Sequence, residues 1–436
     1  MFINNSEKKK ILIYGLGLSG NSCLKFLKKK SDIKVFDDNY LLKNKKKKKF
    51  FLKKKNIFKL KFDYIILSPG IDVKKCRLKK YLKKNQKRII TELDVFHITY
   101  PNNTKITITG TNGKSTTCQM LYDIFKLKKI DVRLVGNIGK PPLQEKNISK
   151  NTIFIVEASS YQIFYNKFYK TDYAAILNLN IDHLERHENL NKYAKAKIKL
   201  ICDQEKNKLS FIEKNSAIIN KHIFSKKIKS KIIKIKYNNV GFFKKNINND
   251  YLLDKNNLNN IHFVYKISKK FKISNNKIFK SLNLFKGLKF RNQIIYDKSN
   301  LKIINDSKST SFSSTNGLLS NYRNIYWIVG GLFKKGDKFI LKKKYFKNIN
   351  AYIIGLNKIF FANQFKNKIN FKYIKNLKDA IATIKNDIKI DKNKKTILFS
   401  PAAASFDQFK NFEHRGRYFN LLIKKASFYG KQKFLR

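Results

Sequence analysis

Acidic residues, proline, glycine and tryptophan are all scarce in this sequence, and the shortages carry different weight. Of 436 residues only 29 are Asp or Glu against 96 Lys or Arg, leaving a formal net charge of +67. That imbalance invites a nucleic-acid partner. The lysines, however, run through almost every segment, and they accompany an excess of Asn, Ile, Phe and Tyr and only 17 Gly, 5 Pro and 1 Trp. The five enriched residue types have A/T-rich codons, so genome bias accounts for the charge and no nucleic-acid partner is expected. The densest lysine run, residues 43–49, reads as a solvated loop.

Cysteine is nearly absent too. Cys23, Cys76, Cys118 and Cys202 are far apart and form no C-x-x-C pair, which argues against a zinc ribbon or a disulfide framework and predicts buried free thiols. No apolar run approaches the roughly 18 residues that span a bilayer. The first residues lead into lysines and a strand without the apolar core of a secretory leader, so a cytoplasmic protein with no membrane insertion is expected. A hydrophobic content of 42% over this length suits roughly three ordinary globular domains.

What the chain does have is strands that run into glycine loops. Residues 11–14 form an apolar strand, Gly15-Leu-Gly-Leu-Ser-Gly20 follows, a helix is expected over 21–28, and a second strand at 33–36 ends at Asp37 and Asp38. Alone, this fingerprint says dinucleotide binding, as in a dehydrogenase. A third strand, 63–67, runs into Ser68-Pro69-Gly70, a loop at a strand's carboxyl end, where open α/β sheets bind ligands. This first domain is expected to span 1–92.

The strongest signal is the strand 105–109 followed by Gly110, Thr111, Asn112, Gly113, Lys114, Ser115 and Thr116, with a helix opening behind it. Loop N–H groups and a helix N-terminus converge on one anion site, Lys114 adds a full charge, and the Ser115 hydroxyl can ligate Mg²⁺. Ile108 stands where the full phosphate-loop pattern has a further glycine, so the match is to the shorter G-x-x-G-K-S form. An apolar strand at 152–156 delivers Glu157, a carboxylate placed as such sites hold Mg²⁺. Another strand, 173–179, precedes Asp182, His183, Glu185 and His187, which lack the order of a zinc helix. Residues 192–203 read as an amphipathic helix in which no lysine stands out, and Lys197 reads as part of its solvated face. Residues 221–250 read as short strands and turns, and asparagines 256, 257, 259 and 260 as a helix cap. The central domain is expected at 93–288. Strands at 301–304, 325–329, 352–354 and 396–399, alternating with helical stretches, predict a third parallel α/β domain over 289–436.

Taken together the motifs resemble the Mur ligases over nearly the full chain. The carriers are Gly15 to Gly20, Ser68-Pro-Gly-Ile71, Thr109 to Thr116, Gly136-Asn-Ile-Gly139, Glu157-Ala-Ser-Ser-Tyr-Gln162, Asp182-His183, Asn305-Asp-Ser-Lys-Ser-Thr310, Gly330-Gly331 and, most specific, the run from Ser400 to Phe412. The resemblance is strongest to the branch that adds D-glutamate to UDP-N-acetylmuramoyl-L-alanine in peptidoglycan synthesis. The Asp-Asn-Pro-Arg run of the relative that adds diaminopimelate is absent.

The resemblance implies three α/β domains: a Rossmann-like first domain that holds UDP rather than NAD, a phosphate-loop ATPase-like central domain, and a Rossmann-like third domain. It puts Leu18, Ser19, Asp37, Asp38 and Asn39 near the uracil, Asn39 standing where the family often has Arg. Ser68, Pro69, Gly70 and Asn137 would contact the sugar nucleotide. Lys114 and Ser115 would grip ATP and Mg²⁺, and Glu157, His183 and Lys197 would serve two metal ions, Lys197 matching a lysine that the family carbamylates. Asn257 and Asn260 match adenine contacts, with Asp254 and Asn256 where the family has Gly and His. Arg291, Asp306 and Lys308 would complete the nucleotide site. Thr310, Lys334 or its neighbour Lys335, Ser405 and Phe412 would hold D-glutamate. Catalytic roles would fall to Lys114, His183, Lys197 and Lys308 in a monomer whose third domain closes over an acyl phosphate. An NAD-dependent oxidoreductase, a basic nucleic-acid binder and a folylpolyglutamate synthetase are the rival readings.

Overall fold

The computed structural model describes residues 8–39, 49–180, 182, 184–249, 251–253, 255–298, 300–334, 336–388, 393–426 and 428. His183, Asp254, Lys335 and most of the lysine run lie outside the described residues. Among those described, no helix is long and apolar enough to cross a membrane.

Three α/β domains, each with its own sheet, make up the fold. The first sheet joins β1 (Lys10–Tyr14), β2 (Asp32–Phe36), β3 (Tyr64–Leu67) and β4 (Ile89–Ile90) in the order β2-β1-β3-β4, all parallel. The second contains β5 (Lys105–Thr109), β6 (Val132–Gly136), β7 (Ile153–Glu157), β8 (Tyr173–Ile176), β9 (Leu209–Glu213) and β10 (Lys231–Ile235). Its order, β10-β9-β8-β5-β7-β6, is again wholly parallel and puts β5 between β8 and β7. Every residue of β5 is buried, as expected for an inner strand covered on both faces.

The third sheet departs from the sequence expectation. To β12 (Leu301–Asn305), β13 (Ile325–Gly330), β14 (Ile349–Ile354) and β16 (Lys395–Phe399) it adds two edge strands, β11 (Gln293–Lys298) and β15 (Asn370–Tyr373). The order is β11-β12-β16-β13-β14-β15, and β11 pairs antiparallel with β12. Its mixed residues, Gln-Ile-Ile-Tyr-Asp-Lys, suit an edge and give no apolar run in the sequence. Two other local readings shift. The segment read as strands and turns holds helices Ala217–Phe224 and Val240–Asn246 around β10, and the asparagines read as a cap lie within the helix Lys255–Lys270. Cys23 and Cys118 are buried as expected, whereas Cys76 and Cys202 are half-buried.

The chain gathers into two compact units. One holds Met1–Asn180, Arg186–Asn248 and Asn259–Asn283, and the other Ile181–Glu185, Asn249–Leu258 and Leu284–Arg436. Within the first unit the first two sheets share one apolar core, in which Ile13, Ile66 and Phe96 join Phe154, Tyr169 and Tyr193. Asp94, fully buried, adds a polar stitch: one carboxylate oxygen accepts the N–H groups of Lys167 (2.8 Å), Phe168 (2.7 Å) and Tyr169 (3.0 Å). In the second unit Trp327 is packed among Phe312, Phe339 and Phe365, and its indole N–H donates to the Ser400 carbonyl at 2.7 Å.

Candidate active site

Beyond the carboxyl end of β5 the chain turns through Gly110–Gly113 into the helix Lys114–Leu127. Gly113 stands at the helix start with φ +82°, and a Cβ there would lie 2.3 Å from Asn260 Oδ1, so only glycine fits the turn. Loop shape is fixed by β8's extension. Asn178 Oδ1 accepts the Asn112 N–H at 2.9 Å, its amide donates to Asn112 O at 3.1 Å, and its carbonyl accepts the Thr111 N–H at 3.0 Å. Lys114 curls over the loop, Nζ donating to the carbonyls of Gly110 (2.9 Å) and Thr111 (2.8 Å).

Beside this loop β7 ends in Glu157, which is 1% exposed. Its Oε2 accepts the Ser115 hydroxyl at 2.5 Å and its Oε1 the Asn137 amide at 2.8 Å. A hydroxyl and a carboxylate side by side next to an anion cradle are a hard-oxygen donor pair of the kind Mg²⁺ takes, so ATP with Mg²⁺ fits this loop. Among the described residues no group of three His, Cys, Asp or Glu is placed to hold a metal ion.

Lys197 overturns its reading as solvated helix surface. The helix Leu190–Cys202 turns it inward to 1% exposure, with Nζ donating to Gly110 O (2.8 Å) and Thr109 Oγ1 (3.2 Å) above the Tyr193 ring. Tyr193 itself meets Thr111 through its hydroxyl at 3.2 Å. Neither Asn178 nor Tyr193 stood out in the sequence; the only hint was Asn178's place just past an apolar strand.

The first glycine loop gathers the residues expected near UDP at the carboxyl ends of β1, β2 and β3. Gly20 packs so closely that a Cβ would lie 1.8 Å from Gly15 O. Asp37, 7% exposed, accepts the N–H groups of Leu16 (2.5 Å) and Asn39 (2.8 Å), while Asp38 accepts the Tyr14 hydroxyl (2.7 Å). Ser68 donates to Gly15 O at 2.7 Å. Leu18 is 81% exposed, Ser19 half-buried, and Pro69 and Gly70 lie on the accessible side of their loop. With both carboxylate oxygens engaged by backbone N–H groups, Asp37 shapes this loop as much as it offers an acceptor to a ligand.

In the second unit the loops after β12 and β16 meet. Asp306 accepts the Asn292 N–H (3.0 Å) and the Ser400 hydroxyl (2.7 Å), and burial pushes its carboxyl up to about 7. Lys308 lies over the Phe412 ring at 3.9 Å, Ser405 is buried, and Thr310 and Arg291 are half-buried. Lys334 forms an ion pair with Asp182 at 2.6 Å, and Asn257 donates to Tyr251 O at 2.7 Å. Arg415, which nothing in the sequence marked, staples these loops: it is 2% exposed and donates to Ser307 Oγ (3.1 Å), Ser307 O (2.7 Å) and Ala403 O (3.0 Å).

Comparison with known proteins identifies the family. Residues 108–285 match the Mur ligase middle domain, and residues 9–90 match the Mur ligase MurD-like N-terminal domain. The UDP-N-acetylmuramoylalanine–D-glutamate ligase of Rickettsia prowazekii is 33% identical, over 97% of this chain and 99% of the relative. The enzyme of that name from Buchnera aphidicola is 34% identical, over 96% and 98%. Among solved structures, UDP-N-acetylmuramate-alanine ligase MurC of Thermotoga maritima superposes with a TM-score of 0.57 at 15% identity, over 96% of this chain and 100% of that one, a likeness of fold. With full-length relatives at this level of identity and a phosphate loop built as described, the chain belongs to the Mur ligase family, in its MurD branch.

Proposed function

We propose that the protein is an ATP-dependent amide ligase that adds D-glutamate to UDP-N-acetylmuramoyl-L-alanine in peptidoglycan synthesis. The observation that carries the reading is the convergence of Lys114, the Ser115–Glu157 pair and buried Lys197 on one phosphate loop. Amide formation from a carboxylate is uphill in water, so the acid must first be activated. In the course we infer, the L-alanyl carboxylate takes the γ-phosphoryl group of ATP, giving an acyl phosphate and ADP. The D-glutamate amine then attacks the acyl carbon, phosphate leaves with the C–O bond pair, and the amine loses a proton.

Each residue's part follows from its chemistry. Lys114 and the loop N–H groups stabilise charge on the transferring phosphoryl oxygens. Ser115 and Glu157, with His183 of the family pattern, would hold the two Mg²⁺ ions, which neutralise phosphate charge when bound. Lys197 is costly to bury as a cation. Carbamylation, in which its amine nitrogen bonds the carbon of CO₂ and releases a proton, would turn it into a carboxylate-like metal ligand. Asn260 beside Gly113 suits an adenine-side contact, as the family pattern gives Asn257. Asp306, Lys308 and Arg291 complete the nucleotide site, and Lys334, Thr310, Ser405 and Phe412 suit the carboxylates and backbone of D-glutamate. The loops holding Leu18, Ser19, Asp37, Asp38, Ser68, Pro69 and Gly70 take the uridine diphosphate end.

Phosphate release with ATP, Mg²⁺, UDP-N-acetylmuramoyl-L-alanine and each candidate amino acid tests the reading. Release above blank with D-glutamate supports it; release only with another amino acid, or only with folate, refutes it. Removal of CO₂ should lower activity and bicarbonate restore it if Lys197 is carbamylated. We further infer a cytoplasmic monomer that binds no nucleic acid, with domains at 1–92, 93–288 and 289–436. A dimer by sedimentation, steep salt-dependent retention on DNA, or proteolytic cuts elsewhere would each remove one part.

A further inference from the structure

A cavity of about 600 Å³ opens on the outer side of the helix Leu190–Cys202, the helix whose inner face carries Tyr193 and Lys197 to the phosphate loop. Its volume is that of a small-molecule site. The floor is aromatic and apolar: Tyr161 stacks on His187 with ring centroids 5.5 Å apart, Phe164 is 47% exposed, and Tyr165 and Ile198 complete the wall. An exposed Phe beside stacked rings is surface that solvent covers poorly.

The mouth is cationic. Six lysine and arginine side chains line the cavity against two carboxylates, Asp72 and Glu188. Glu188 is occupied by Lys74 and Lys192, Lys199 by Asp203, and Arg186 by the Ile71 carbonyl and the Tyr161 ring. Lys195 and Lys226 are exposed and form no ion pair among the described residues. His222 lines the same cavity, and its Nε2 is buried with no hydrogen-bond partner among the described residues. Burial, then Lys221, Lys195 and Lys226, lower its pKa, so near neutral pH the imidazole adds no charge of its own.

We propose that this cavity binds an organic anion with an aromatic body and a single carboxylate, the rings against Tyr161, Phe164 and Tyr165 and the carboxylate between Lys195, Lys226 and His222. Charge complementarity selects the anion and the apolar floor selects the aromatic body. A neutral aromatic would forfeit the lysines, and a bare anion would forfeit the floor.

The test uses 2-naphthoate with the full-length protein, by calorimetry in the presence of saturating ATP. Saturable one-to-one binding is expected. At least tenfold weaker binding is expected for 2-naphthylmethanol, and for the doubly substituted protein Lys195→Glu, Lys226→Glu, whose exposed changes leave folding intact. A second reading locates the ligand: naphthoate should slow iodoacetamide alkylation of Cys202, a half-buried lining thiol, without slowing that of Cys76. No binding at millimolar naphthoate, loss of binding to ATP competition, equal affinity in the double variant, or unprotected Cys202 would each overturn the proposal.

Discussion

The phosphate loop after β5 and the loop after β12 are built alike, and the details that differ separate two tasks. Each lies beside a buried carboxylate at a parallel strand's carboxyl end, Glu157 at the end of the neighbouring β7 in one case and Asp306 just past β12 in the other, with a serine hydroxyl donating to it. Glu157 meets two side-chain donors, the buried Ser115 hydroxyl and the amide of the exposed Asn137. Around Asp306 one donor is a backbone N–H. The other, Ser400, continues into a buried hydroxyl chain through Thr315 (2.8 Å) and Ser309 (2.5 Å). Such a network is rigid and expensive to break. The first carboxylate is met by side chains from two other elements, and the second is tied to a backbone N–H and a buried hydroxyl network.

The lysines sharpen the contrast. Lys114 lies on loop carbonyls beside the anion cradle, and Lys308 rests on the Phe412 ring. Lys114→Ala should therefore lower turnover by about 10³-fold, the scale of a lost phosphoryl clamp. Lys308→Ala should cost only about tenfold, the scale of a single weaker contact. Equal losses in steady-state phosphate release would erase the distinction. Next in size, Glu157→Gln should lower turnover by about 10²-fold, with a Mg²⁺ requirement shifted to higher concentration. An unchanged Mg²⁺ titration would mean that Glu157 does not meet the metal.

The smallest effect concerns protons. Because burial raises Asp306 to about 7, from an unfolded value of about 4, only the folded state keeps this proton between those limits. Its contribution to stability is complete below pH of about 4, declines as pH rises, and is gone above about 7, at up to roughly 1.4 kcal/mol per pH unit. Asp306→Asn should remove that slope in urea denaturation at pH 5, 6 and 7. A slope identical to the parent's would show that the carboxyl titrates normally.

Local sequence carried much of this site. The strand, glycine turn and lysine-serine pair of the phosphate loop lie within a dozen residues, so their geometry follows from φ preferences and strand burial alone. Lys197 was opaque because its helix places lysines at 192, 195, 197 and 199, and nothing local says which of them faces β5. Strand order was equally hidden, since β5 pairs with β7 and β8 across long separations. Arg415 had no signal at all; its partners, Ser307 and Ala403, lie on two other loops that only the folded sheet brings together.

The single apolar core beneath β1–β4 and β5–β10 carries a consequence of its own. The first glycine loop and the phosphate loop stand on the same block of packed side chains, so the span between them cannot stretch to suit a guest. It works as a ruler. On the proposed function, a sugar nucleotide gripped at its base by the first loop would present its far carboxylate at one fixed reach, and an analogue one unit shorter would bind there yet fall short of the reacting phosphate, losing turnover before affinity.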